Sequence, residues 1–280
     1  MQKNSSNSNS VPSNLAQIGI TTKYTLLDYF RSRRFFILLT ITLAIGCAMT
    51  AIVGYYRPNS LMASSLDFYG IWWTEVIAFV IVLSGIFFGA DAIASESQNK
   101  TGYFSIPNPI KRSSIYLGKW LAAFTAASAT FLVFTAITFG NGIFYFGSSV
   151  PVEFLESLLF SWFYLAAVIS VSFLLSSLFK SSAMSILVSA ILFLFAFNMM
   201  QLLTQAFVQI EPWFIITYGA EIISNIFIVP YPMHTLTISD AGQTITLFNA
   251  TVPEGLAIMA LYIVVTIVIG LMLFKRKEFT

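Results

Sequence analysis

Charged residues are scarce: 9% of 280, where a soluble domain carries about 25%. That excludes an ordinary water-soluble globule. The single cysteine, Cys47, excludes an internal disulfide, a CxxC redox pair and a thiolate zinc site. The single histidine, His234, excludes a multi-histidine metal centre and argues against His-based catalytic dyads. A net charge of +2 says nothing until the charges are placed along the chain. What is abundant is apolar surface. Hydrophobic residues make up 57% of the chain, 28 of them phenylalanine, and the mean hydropathy is +0.82. The composition is that of a polytopic membrane protein.

A hydrocarbon core of about 30 Å takes about 20 apolar helical residues to cross. Phe35–Tyr55, Phe68–Gly89, Leu121–Phe146, Phe154–Leu178 and Ala183–Leu203 pass that test, and Leu256–Phe274 is slightly short but unbroken. The basic residues orient these six spans. Lys3, Lys23, Arg31, Arg33 and Arg34 precede the first. Lys100, Lys111, Arg112 and Lys119 lie between the second and third, Lys180 between the fourth and fifth, and Lys275, Arg276 and Lys277 after the sixth. Only Arg57 falls on the other side. The positive-inside rule makes the basic side cytoplasmic, in a cell (plasma) membrane with both termini inside.

Trp213–Val229 is apolar enough to suggest a seventh span. Crossing there would export the terminal Lys-Arg-Lys cluster and bury Glu221, a costly group at mid-bilayer. The expected fold is therefore an all-α polytopic membrane protein. Six transmembrane helices are preceded by an interfacial amphipathic helix, and an outward-facing region, 205–253, holds one or two short re-entrant helices. Residues 1–14, rich in Ser and Asn, read as a disordered cytoplasmic tail. Over 15–34, Leu15, Ile18, Leu26, Leu27 and Phe30 share one side of a helix, with Gln17, Thr21, Asp28 and Arg31 on the other. Such a helix lies along the inner membrane surface. The span domain then runs over 35–280.

The connection 91–119 is long and polar. Gly102 and Pro107–Pro109 break it, and Ser113 or Ser114 is suited to open the next helix. Its acidic residue Asp91, then Glu96-x-x-x-x-Thr101, then Pro107, Arg112 and Gly118-Lys119 resemble the second cytoplasmic loop of the permease subunits of ABC exporters of the type-2 group. The six spans, the leading amphipathic helix and the basic end, Phe274 to Glu278, are similar as well. The resemblance implies that this loop docks on a separate ABC ATPase, with Asp91, Glu96, Lys100, Thr101, Pro107, Arg112 and Lys119 at the interface. It further implies that ATP-driven closure of two ATPase subunits rocks the attached spans. The functional unit would pair two halves, as a homodimer or with a paralogue, in membrane lipid and without nucleic acid. Cofactors are expected only on the partner, which would bind ATP and Mg. Gly118-Lys119 runs into Trp120 and has Ser113 where a Walker A motif needs glycine, so this chain holds no such phosphate cradle.

Other residues carry sharper and blander readings side by side. Glu75, about a third of the way into span two, is a candidate for a substrate or proton path, or simply a hydrated carboxylate near the interface. Gly85 and Gly89 form a small-xxx-small pair suited to close helix packing. Cys47 reads as a small core residue. His234 and Met233, with Met199 and Met200, invite a copper reading. Adjacent methionines on a helix point in different directions, so His234 reads as a surface residue and no metal site is expected. Asn249-Ala250-Thr251 is a glycosylation acceptor pattern on the exported side. No paired catalytic groups lie in the spans, which argues against an intramembrane enzyme. A secondary transporter, a channel, or a non-transporting membrane subunit of an ABC complex is the alternative to an exporter permease.

Overall fold

In a computed structural model, residues 13–99, 111–240 and 243–276 are described. Lys100, Thr101 and Pro107 of the loop, Lys277, and residues 1–12 of the tail fall outside them.

Helix α1 (Asn14–Arg31) starts at Ser13, whose hydroxyl accepts from the Ala16 amide. Ser32 then separates it from α2 (Arg33–Tyr56). Its extended backbone ends the first helix, and its hydroxyl accepts from the Phe35 amide to open the second. The interfacial helix therefore stops three residues earlier than the apolar pattern implied. After a single turn, α3 (Asn59–Met62), Ser64 caps α4 (Ser65–Gly89) through the Asp67 amide. A short α5 (Ala94–Gln98) leads to the undescribed part of the loop. Then follow α6 (Arg112–Phe146), α7 (Val152–Leu178), α8 (Ser182–Val208) and α11 (Val252–Arg276). Lys111, and neither Ser113 nor Ser114, stands at the N-cap of α6, without a capping side chain. Both serines lie inside the helix, Ser114 buried.

Helices α2, α4, α6, α7, α8 and α11 are each long and apolar enough to cross a membrane. Trp213–Val229 does not form a seventh. It folds into two short turns, α9 (Ile216–Ala220) and α10 (Ile222–Asn225). The region between α8 and α11 also holds an antiparallel hairpin, β1 (Thr235–Asp240) and β2 (Gln243–Phe248), in the register Thr235↔Phe248 to Asp240↔Gln243. This corrects the expectation of helices alone there. The alternation of Thr and Ile or Leu along both strands favours extended chain.

Helix α4 is the axis of the bundle. Of its most apolar stretch 72% is buried, against 17% for α8 and 22% for α2 and α11. Trp72, Trp73 and Tyr69 of α4 are fully buried against α6 and α7, where Phe131, Phe134 and Phe154 meet them. In lipid, apolar burial cannot by itself hold helices together, and small polar side chains supply much of the specificity. Trp73 accordingly donates to Ser157 (3.0 Å), Trp120 to Ser170 (3.0 Å) and Trp162 to Ser128 (2.8 Å). Gly85 and Gly89 sit where α4 meets α7. A Cβ on Gly85 would lie 2.4 Å from Val168 Cγ1, and one on Gly89 2.7 Å from Ser172 Cβ.

The amphipathic helix packs in an unexpected sense. Gln17 and Thr21, from the side read as polar, face α6, and Gln17 is buried. Leu15 and Leu27 are exposed. A Cβ on Gly118 of α6 would come within 2.7 Å of Thr21 Cβ, and Thr22 donates to the Gly118 carbonyl (3.1 Å). Polar residues on α1 serve helix-to-helix contact, while its apolar residues divide, Leu26 and Tyr29 packing against the core and Leu15 and Leu27 exposed.

Candidate functional site

Two places in the bundle concentrate polar chemistry: the loop end of α4, and a cavity toward the hairpin end.

At the loop end, α4 runs into α5 through Asp91, Ala92 and Ile93. The first amides of a helix lack intrahelical partners, and α5 has no capping side chain of its own. Ser176 of α7 supplies one, its hydroxyl accepting from the amides of Ile93 and Ala94 at 2.9 Å each. Asp91 ion-pairs with Arg34 at the start of α2. Glu96 pairs with Lys119 of α6 at 2.5 Å, their side chains 13% and 15% exposed. The Lys119 ammonium also donates to the Ala92 carbonyl (3.1 Å). Gln98 accepts from the Ser182 amide (2.9 Å), so it caps the start of α8. Beyond the undescribed segment, the Lys111 amide donates to Gln17 of α1 (3.0 Å). Arg112 donates to the Lys275 carbonyl (2.8 Å), placing a cation at the negative end of the α11 dipole.

Four of the seven residues expected at a docking interface are described: Asp91, Glu96, Arg112 and Lys119. All four make contacts within the chain. Glu96 and Lys119 face each other in a nearly buried pair, and Asp91 is largely buried against Arg34. These contacts link the ends of α2, α4, α6, α7, α8 and α11 to one another through a few polar side chains. Sequence spacing gave no sign of Ser176, Gln98 and Arg34. Their partners lie 57 to 84 residues away in the chain, and no local motif marks them.

The second place is a cavity of about 350 Å³ lined by residues of α4, α7, α8, α9 and α10, including Glu75, Tyr164, Asn198, Thr217 and Glu221. Here α8 departs from regular α geometry, with π-helical segments at Leu192–Ala196 and Thr204–Val208. Such bulges widen a helix and recur at functional sites. Asn198 donates to the Phe193 and Leu194 carbonyls of the first segment (3.2 and 3.3 Å). Glu221 accepts a hydrogen bond from Gln201, which in turn accepts from Thr217 (2.6 Å). Its other oxygen, Oε2, is buried with no partner among the described residues. Burial is the leading cause that lifts the Glu221 pKa to about 7, with the Gln201 hydrogen bond and the nearby Ala250 backbone acting the other way. Glu75 is exposed and lies on the wall of this same cavity. The cavity thus joins a carboxylate picked out by sequence to one that sequence treated only as an obstacle to a seventh span.

A family model of ABC-2 family transporter proteins matches residues 25–279. The chain belongs to that family. It is therefore a membrane permease component of an ABC transporter, a transport part that is not itself catalytic. No individually curated protein matches the chain. In this ABC-2 permease the loop-end network lies at the C-terminal end of α4, and the Glu75–Glu221 cavity lies along its middle, from Thr74 to Val82. The helix that carries the loop is thus also the helix that lines the cavity.

The remaining expected residues find plain settings. The Asn249 amide group donates to the Met233 carbonyl (2.9 Å), so the nitrogen a glycan would need is already engaged. Cys47 is exposed on α2 instead of lying in the core. Met199 and Met200 are exposed on α8.

Proposed function

We propose that the permease is one half of an ATP-driven exporter, paired with a second half and with ABC ATPase subunits that bind ATP and Mg. The observation that carries this reading is the polar network at the loop end. An ATPase that pulls on the loop displaces α5. The Ser176, Lys119 and Arg34 contacts pass that displacement to α7, α6 and α2, and Gln98 passes it to α8. Rigid helices then carry it along α4 to the wall of the cavity. The distribution of basic residues supports a cytoplasmic loop end, with both termini inside, in the plasma membrane. The 91–119 connection, Lys100, Thr101 and Pro107 included, is the docking segment in this reading.

The cavity supports a cargo class. Two carboxylates beside Tyr164 and an apolar wall suit an amphipathic molecule that carries a basic group. The test is reconstitution of the permease in liposomes with an ABC ATPase from the same genome. ATP hydrolysis is expected to exceed that of the ATPase alone, and amphipathic cations are expected to stimulate it further. Glu75→Gln should remove the cargo-stimulated part and leave the basal rate. Movement of such a cation with no ATPase present would instead identify a secondary transporter or channel.

A further inference from the structure

We propose that Glu211, His234 and Glu254 form a binding site for one divalent transition-metal ion of the Zn²⁺ class at the hairpin end of the permease. The three residues come from separate segments: the turn after α8, the entry to β1 and the first turn of α11. Each offers one ligand atom, and these atoms all lie within 4.8 Å of one another. His234 Nε2 is 3.6 Å from Glu211 Oε2. Ligands about 2.0–2.1 Å from a tetrahedral zinc ion stand about 3.4 Å apart, so the cluster needs only a modest closing-in to bind one.

Each ligand is held by a partner of its own, which separates this cluster from a chance gathering of acids. His234 Nδ1 lies 3.0 Å from the Asn249 carbonyl oxygen. A carbonyl only accepts, so the proton sits on Nδ1 and Nε2 keeps its lone pair on the Glu211 side, the arrangement usual for a metal-ligating histidine. Glu254 Oε2 lies 3.9 Å from Nδ1 and must turn toward Nε2 to share an ion. Tyr218 donates to Glu211 Oε1 (2.8 Å) and leaves Oε2 toward the histidine. Glu254 Oε2 accepts from the Thr251 amide (3.3 Å) and hydroxyl (3.5 Å). Asn249 fixes the chain beneath, its amide donating to the His234 carbonyl at 2.8 Å.

The donor set selects the ion. Two carboxylates balance a divalent charge, and one imidazole favours Zn²⁺ over Mg²⁺ or Ca²⁺, which prefer oxygen alone. No thiolate or thioether joins the cluster, which disfavours Cu(I). Three protein ligands leave a fourth position for water. His234 is 43% exposed at its side chain, so the ion has a path in from water. A bound ion clasps the hairpin to the ends of α8 and α11. This inference does not depend on the permease being an exporter.

The experiment uses the full chain, purified in detergent without a histidine tag and stripped with chelator. Zn²⁺ is then titrated, and the retained metal and the unfolding temperature are measured. One Zn²⁺ per chain is expected, with a rise in unfolding temperature that Mg²⁺ does not reproduce. His234→Gln and Glu254→Gln should bind at least tenfold more weakly. Tyr218→Phe, which only loosens Glu211, should lose about tenfold. Met199→Leu with Met200→Leu should bind as the unaltered chain does. Co²⁺ loaded into the unaltered chain should give the absorption of a nitrogen- and oxygen-ligated ion, a readout that does not depend on any variant folding. Failure to retain Zn²⁺, retention undiminished in His234→Gln, or the absence of that Co²⁺ spectrum overturns the proposal and leaves Glu211 and Glu254 as a pair that shares a proton.

Discussion

Replacing Glu96 by Gln would strand the Lys119 ammonium. The ammonium would keep neutral acceptors, the Ala92 carbonyl at 3.1 Å among them, but no compensating charge, in a setting where the lysine side chain is 15% exposed. Removing one member of a buried ion pair costs about 3–5 kcal/mol. The slight exposure of both groups argues for the lower end, about 3 kcal/mol, or a factor of about 100 in the unfolding equilibrium. Lys119→Met strands Glu96 instead and should cost about the same. The double variant leaves no uncompensated charge and should cost much less than the two singles added together, with a coupling of about 2 kcal/mol. Reversible unfolding in a denaturing detergent, followed by the fluorescence of the five tryptophans, measures all four corners of the cycle. If the two singles simply add, the pair contributes nothing. The loop end is then held by the Asp91–Arg34 pair and the Ser176 and Gln98 contacts, and transmission to α6 loses its strongest link.

Glu221 makes stability depend on pH. Its carboxyl is held at about 7 in the folded chain against an ordinary 4.5, so between those values the folded state carries a proton that the unfolded state has released. Stability should fall as pH rises from about 4.5 to 7 and stay level above that, by about 3 kcal/mol at most. Glu221→Gln should flatten the profile in a thermal scan across pH, and an unchanged slope would show that the group is hydrated. Gly85→Ala forces a Cβ to within 2.4 Å of Val168 Cγ1 and should cost about 1–3 kcal/mol. Gly140→Ala, where nothing lies within 4 Å, should be neutral or gain up to about 1 kcal/mol. Equal effects at the two glycines would contradict the α4–α7 packing. A cysteine placed at Thr246 in a Cys47→Ala background should be labelled by an impermeant thiol reagent added outside cells, while one at Lys180 should not. The reverse pattern would invert the orientation.

The spans could be read from sequence because each is a contiguous apolar run, and the length of a run is all that crossing requires. Glu221 correctly barred a seventh span, yet its place in a cavity was invisible, because the opposite wall comes from Glu75, far away on α4. The hairpin carried its own signal in the alternation of Thr235 to Ile238 and Thr244 to Leu247, which a search for 20-residue apolar runs passes over. The two faces of α1 were legible but not their partners: Gln17 and Thr21 turn toward α6, while the apolar side divides, Leu26 packing against the core and Leu15 and Leu27 exposed. Motif matching found Glu96 and Lys119 as single positions but could not show that they answer each other. The Glu211, His234 and Glu254 grouping has no spacing rule behind it and exists only once the hairpin brings its base to α11.

The central claim is that the loop end engages an ATPase and passes its motion inward. A photocrosslinking residue at Asn99, exposed at the mouth of the loop, tests it most directly, with one at Ser148, exposed at the opposite end of the bundle, for comparison. The permease is co-expressed with its ABC ATPase and irradiated with and without ATP. A covalent adduct with the ATPase is expected from Asn99 only, in a yield that changes with ATP. No adduct from Asn99, or equal adducts from both positions, would contradict the account.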